Sequence, residues 1–155
     1  MKFKTALVSI MLMAVLFSLA CSGNKPGPAA NQPDKSTITE GAMTTSVDND
    51  SKPTSAVKTS FPAGTPAIYC SFKVSNVMQE DLIKASWYYV SGGAAGEENQ
   101  LLDGGEMYTS AQADDQSYYL AFYYDKPASG WNKGSYKVVL SVNGVDKLSV
   151  PFNIE

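Results

Sequence analysis

The sequence predicts an all-β protein, a single antiparallel β-sandwich over residues 66–155 preceded by a signal peptide and a disordered tether. Three observations predict the sandwich. Apolar and polar residues alternate with period two in five segments rich in aromatic and β-branched side chains, the mark of half-buried strands. An Asn-Gly pair, Asn143-Gly144, stands between two of these segments and is flanked by Val142 and Val145; both residues tolerate the positive φ that a two-residue hairpin turn needs. No segment carries a convincing helical period.

The strands follow in order. Ile68, Cys70, Phe72 and Val74 alternate with Tyr69, Ser71 and Lys73. Ile83, Ala85, Trp87 and Tyr89 form the second row, and Tyr118, Leu120, Phe122 and Tyr124 the third. Tyr136, Val138, Leu140 and Val142 lead into the Asn-Gly turn, and Leu148, Val150, Phe152 and Ile154 lead out of the hairpin. Weaker candidates around Leu101–Leu102 and Gly105–Thr109 raise the expected total to six to eight strands. A domain of about 90 residues with this spacing fits a sandwich.

Residues 22–65 have a different texture. Their large apolar residues are few, namely Ile38, Met43, Val47, Val57 and Phe61. Neither strand nor helix period shows, so the segment is expected to be a tether that cannot bury enough surface to offset the entropy of ordering. Forty-four flexible residues would span roughly 35–40 Å, at about 5–6 Å × √n.

The chain opens with Lys2 and Lys4, then runs apolar from Ala6 to Ala20 with only Ser9 and Ser18 polar. That run is short of the roughly 20 residues a spanning helix requires. A basic start, a short apolar core and a small residue before the break describe a secretory signal peptide over residues 1–20, cut after Ala20. Phe17-Ser18-Leu19-Ala20-Cys21 resembles the lipobox of bacterial lipoproteins. The resemblance implies that Cys21 becomes the acylated N-terminus, so that residues 21–65 form the acylated end and tether. Ser18 stands where the family usually has leucine. Two or more acyl chains anchor a protein stably, at about 0.8 kcal/mol per buried methylene. The expected location is the cell envelope, lipid-anchored, and the outer membrane where the host has two membranes, since Ser22 rather than aspartate follows Cys21.

A second resemblance lies in the hairpin. Ser129 to Gly144 reads SGWNKGSYKVVLSVNG, and it resembles the late hairpin of immunoglobulin-like modules in bacterial and archaeal surface proteins. Trp131, Gly134, Tyr136, Val138, Leu140 and Val142 carry it, with a closing Phe152-Asn153-Ile154. The resemblance implies an immunoglobulin-like sandwich with Trp87 as the central core tryptophan. Cys70 is the one cysteine left besides Cys21, so the antibody-type disulfide is absent and Cys70 reads as a small buried hydrophobe.

Charge and composition narrow the function. Residues 66–155 hold six lysines and eleven acids, a net of 6 − 11 = −5, which argues against nucleic acid. With no histidine in the chain, Ser–His and Cys–His nucleophilic machinery and histidine-bearing zinc sites are excluded. The remaining acids, Glu97, Glu98, Asp103, Glu106, Asp114 and Asp115, sit among glycine, asparagine and glutamine and read as solvated loop acids. Asp114 and Asp115 are the calcium candidates; otherwise neither metal nor cofactor is expected. The GGAAG stretch from Gly92 to Gly96 lacks the spacing and the following helix of a nucleotide loop.

Strand alternation turns one set of tyrosines away from the core: Tyr69, Tyr88, Tyr119 and Tyr123. They are the candidate binding face, since tyrosine offers rigid amphipathic contact area to protein or sugar. The expectation is a non-enzymatic, membrane-anchored envelope lipoprotein whose sandwich binds an envelope protein or polysaccharide, or serves as a structural module. The alternatives are a carbohydrate- or calcium-dependent binding module, or an envelope enzyme or inhibitor using loop carboxylates.

Overall fold

The computed structural model describes residues 35–91, 99–109 and 117–155. Among them lie eight strands: β1 (Thr37–Thr44), β2 (Ser60–Phe61), β3 (Ala67–Ser75), β4 (Leu82–Ser91), β5 (Gln100–Tyr108), β6 (Ser117–Asp125), β7 (Gly134–Val142) and β8 (Val145–Ile154). They form a three-stranded sheet in the order β1-β3-β6 and a five-stranded sheet in the order β2-β8-β7-β4-β5. All the long pairings are antiparallel; only the two-residue β2 runs parallel to its neighbour β8. The chain changes sheet on either side of the short β2, between β3 and β4, between β5 and β6 and again between β6 and β7. This is the Greek-key order of an immunoglobulin-like sandwich, with β1, β3 and β6 as strands A, B and E and with β4, β7 and β8 as C, F and G.

The predicted alternation is met on both inner faces. Ile68, Cys70, Phe72 and Val74 of β3 are fully buried, and so are Ile83 and Ala85 of β4 and Val138, Leu140 and Val142 of β7. The inner row of β6 is in phase with the prediction, but Tyr118, Leu120, Phe122 and Tyr124 are only half-buried. The reason is position: among the described residues β6 ends its sheet, with a strand on one side only. The two weak candidates at Leu101–Leu102 and Gly105–Thr109 are one strand, β5, with a register shift opposite Trp87 and Tyr88.

One expectation is corrected. The fold does not begin at Pro66. Thr37–Thr44 pairs with β3 and Ser60–Phe61 with β8, and the compact unit runs from Asp34 to Glu155. Ile38, Met43 and Phe61, three of the few large apolar residues in the supposed tether, are buried in the core. β1 escaped the alternation test because Glu40, at φ 54°, sits in a bulge between Thr39 and Ala42, and a bulge breaks the period of two.

The SGWNKGSY segment owes its residues to packing at the β6–β7 corner. Trp131 is buried and its indole N–H donates to the carbonyl of Thr65 at 2.8 Å. The Tyr136 hydroxyl donates to the carbonyl of Asn132 at 2.6 Å, the tyrosine corner found at the start of strand F in immunoglobulin-like domains. Gly134 takes φ 141° between them. Edge-to-face contacts join Trp131 to Tyr124 and Tyr136, and Trp87 to Phe152. Such pairs add about 0.5–1.5 kcal/mol each beyond their buried area. Val138, two residues past Tyr136, pairs with Trp87 and stands where antibody domains carry their second cysteine; Cys70 on β3 is a free, buried thiol.

Candidate functional site

The outer face of the three-stranded sheet presents Tyr69 and Lys73 from β3, Tyr119 and Tyr123 from β6, and Glu40 from the β1 bulge. Tyr69 and Tyr123 are direct cross-strand partners. Their rings lie 5.3 Å apart between centroids and are tilted by 31°; Tyr123 keeps 56% of its surface exposed. Four residues along β6, Tyr119 lies opposite Lys73. Its hydroxyl donates to Glu40 Oε2, and Lys73 Nζ lies 3.3 Å from Glu40 Oε1. The Tyr119 hydrogen bond, and then Lys73, hold the Glu40 carboxyl below its ordinary value, and the same bond raises the Tyr119 phenol.

The segment between β1 and β2 lies against this face. Asp48 Oδ1 accepts the backbone N–H groups of Asp50 and Lys52, and Ser51 takes φ 62°. The turn thus built places the Ser51 carbonyl 2.6 Å from Ser71 Oγ, which donates to it. It also sets Lys52 Nζ 5.7 Å from the centroid of the Tyr119 ring. The loop buries Ser71, in the middle of the face. The tilted Tyr69–Tyr123 pair therefore lies at one end, and the Tyr119–Glu40–Lys73 cluster, roofed by Lys52, at the other. Two rings with free edges and a fixed pair of opposite charges suit a partner that combines a flat apolar surface with hydrogen-bonding groups, such as a sugar ring or a peptide with polar side chains.

The fourth predicted tyrosine does not join them. Tyr88 is on β4, on the outer face of the other sheet, with Lys137 Nζ 5.3 Å from its ring centroid. Alternation separates inside from outside, but a sandwich has two outsides, and strand spacing alone does not assign a residue to one or the other. Glu40, Lys52 and Lys73 were not among the predicted site residues. Glu40 and Lys52 lie in the stretch read as tether, and Lys73 is visible only as an outward position of its row.

The loop carboxylates divide. Glu97, Glu98, Asp114 and Asp115 lie outside the described residues, as does Gly92 to Gly96. Asp103 and Glu106 are both on β5; Asp103 Oδ1 accepts the N–H of Gly104 and Glu106 binds Lys84 Nζ at 2.8 Å. Among the described residues no three acid, cysteine or histidine side chains gather as a metal site. Cys21 also lies outside the described residues. Cys70 is sealed in the core, and burial pushes its thiol up to about 12.

No family model matches the chain, and no curated protein matches it. Among solved structures it is similar to an immunoglobulin-like protein from Pseudomonas aeruginosa, at 13% identity and a TM-score of 0.44, over 78% of this chain and 97% of that one. It is also similar to part of a β-D-glucoside glucohydrolase from Trichoderma reesei, at 11% identity and TM-score 0.48, over 78% of this chain and 19% of that one. A third similarity is to a Pseudomonas fluorescens alkylpurine DNA glycosylase bound to abasic-site DNA, at 15% identity and TM-score 0.46, over 77% of this chain and 30% of that one. The chain thus spans less than a third of the two enzymes. The immunoglobulin-like assignment rests on the strand order and on the tyrosine corner.

Proposed function

We propose that this protein is a cell-envelope lipoprotein, held to a membrane through acylated Cys21, whose sandwich is a non-catalytic binding module. The observation that carries the binding reading is the pair of half-buried Tyr69 and exposed Tyr123 beside Tyr119 on one outer face. The lipobox-like residues before Cys21 support the anchor. In this reading residues 22–36 are the spacer. Because strand β1 starts at Thr37, the spacer reaches at most about 50 Å when fully extended, at 3.3–3.6 Å per residue.

The partner is an envelope polysaccharide or an envelope protein. Tyr69 and Tyr123 contribute flat apolar area with hydroxyl groups at the rim, and Lys73 and Glu40 fix the register of polar groups on the ligand. Co-sedimentation of the purified chain with isolated envelope polysaccharide, alongside capture of envelope proteins, tests this. The joint change Tyr69→Ser and Tyr123→Ser should abolish the interaction, while Tyr88→Ser on the opposite sheet should leave it intact. Equal binding by all three proteins would remove the face from consideration.

A further inference from the structure

Among the described residues β6 ends its sheet, and its residue classes run in the same order in both directions about Ala121. Natural edge strands are blunted by charge, proline, bulges or shortness, because a smooth edge recruits another strand. The other edges here are blunted. β1 is bulged at Glu40. β2 has two residues. β5 carries a register shift, two glycines, Asp103 and Glu106. By contrast, β6 pairs with β3 over nine consecutive residues with no register shift, and between Ser117 and Asp125 it has no charge and no proline. Among the described residues no strand pairs with its outer side.

The stretch from Tyr118 to Tyr124 reads Tyr-Tyr-Leu-Ala-Phe-Tyr-Tyr. About Ala121 tyrosine mirrors tyrosine at both ends, and apolar Leu120 mirrors apolar Phe122. Two copies of such a strand placed antiparallel about a twofold axis at Ala121 would match like with like. Tyr119 would face Tyr123 of the other copy, Tyr118 would face Tyr124, Leu120 would face Phe122, and Asp125 would face the uncharged Ser117. Aromatic and aliphatic cross-strand pairs stabilise a sheet, and no like charges oppose one another in this register.

We propose that the chain associates with a second copy of itself by antiparallel pairing of β6 with β6, centred on Ala121. The two three-stranded sheets become one six-stranded sheet, and the contact is isologous, as a twofold interface requires. The inner row Tyr118, Leu120, Phe122 and Tyr124, half-buried in one copy, gains a neighbour on its open side. On the outer face the Tyr69–Tyr123 pair is extended by Tyr119 of the other copy, giving a continuous aromatic strip that one chain does not have. The pairing does not depend on any ligand of that strip.

The test uses the full chain in bacterial cells, with one cysteine added at a time and a mild thiol oxidant. Ala121→Cys brings two thiols face to face across the axis and should convert the chain largely to a disulfide-linked dimer on a non-reducing gel. The parent chain gives the background from Cys21 and Cys70. Tyr108→Cys, an exposed position on the β5 edge, should stay at that background. Adding Tyr119→Lys and Tyr123→Lys to Ala121→Cys sets lysine against lysine and should return the dimer to the background, with a purified sample still showing the β-sheet circular dichroism of the parent. Ala121→Cys no better cross-linked than the parent, or a dimer trapped through Tyr108→Cys instead, would overturn the pairing.

Discussion

The ring of Phe122, on β6, lies over the backbone of Gly105, on β5. A Cβ added at Gly105 would fall 2.6 Å from Phe122 Cδ1. This is the point where the two sheets approach each other between their open edges, and it explains why a strand interior accepts glycine there. Gly105→Ala should force the Phe122 ring or the β5 backbone to shift and cost about 1–3 kcal/mol, the usual range for overpacking. Denaturant titration measures it. Gly104→Ala, whose added Cβ would meet its nearest neighbour at 3.7 Å, is the matched control and should cost much less.

Residues upstream of Pro66 are expected to be indispensable. Burying Ile38, Met43 and Phe61 contributes about 1.5–3 kcal/mol per side chain, roughly 5–9 kcal/mol together. Whole domains have about 5–15 kcal/mol of net stability. A chain starting at Asp34 should therefore unfold cooperatively, whereas one starting at Pro66 should be unfolded or molten at room temperature. Met43→Ala in the longer chain should cost about 2–5 kcal/mol. Equal midpoints for the two truncations would show that β1 and β2 are ornaments on the sandwich.

How much of this was legible follows from where each signal came from. β3, β4 and β7 bury one row of side chains almost completely, and β8 buries Val150, Phe152 and Ile154, so their composition alternates cleanly. The Asn143-Gly144 turn could be read from two residues, and it has the required angles, φ 51° and φ 81°. β1 was invisible because its bulge interrupts the period and because Thr, Gly and Ala fill it. β2 is two residues long, shorter than any period can register. The site was half legible for a different reason. The outward phase of Tyr69, Tyr119 and Tyr123 follows from alternation, whereas sheet membership, which separates Tyr88 from them, is a long-range pairing that no local window contains.

Tyr136 should make stability sensitive to alkali. Burial, chiefly, pushes its phenol up to about 12. A folded value above the unfolded value of about 10 means that the folded state holds the proton more tightly. The contribution is fully present below pH 10 and is lost as pH rises from about 10 towards about 12. Tyr136→Phe should flatten stability over that window. Near neutral pH it should cost about 1 kcal/mol for the lost hydrogen bond. Tyr119, whose phenol is also raised, is bonded to Glu40 on the outer face, so Tyr119→Phe separates the two contributions. An alkaline slope unchanged by Tyr136→Phe would count against the corner as its source.

Thiol counting tests the anchor and the core together. Cys21 and Cys70 are the only cysteines. Cys70 is fully buried, and burial raises its thiol to about 12, so it offers almost no thiolate near neutral pH, the form that reacts. If Cys21 is acylated on sulfur, the protein taken from its membrane should show no reactive thiol when folded and one in denaturant. If the chain is instead secreted with Cys21 free, the counts should be one folded and two unfolded. Mass analysis of the N-terminal peptide identifies the acyl chains, and Cys21→Ser should release the protein from the membrane. The reaction of Cys70 in the folded protein should be limited by opening of the sandwich, because β3 lies between β1 and β6 in its sheet and no edge leads to the sulfur. Its labelling rate should therefore rise with each destabilising change described above, Met43→Ala more than Gly104→Ala. A fast rate that ignored those changes would mean that Cys70 is reached through local fraying, and that the centre of the three-stranded sheet is less well closed than its packing implies.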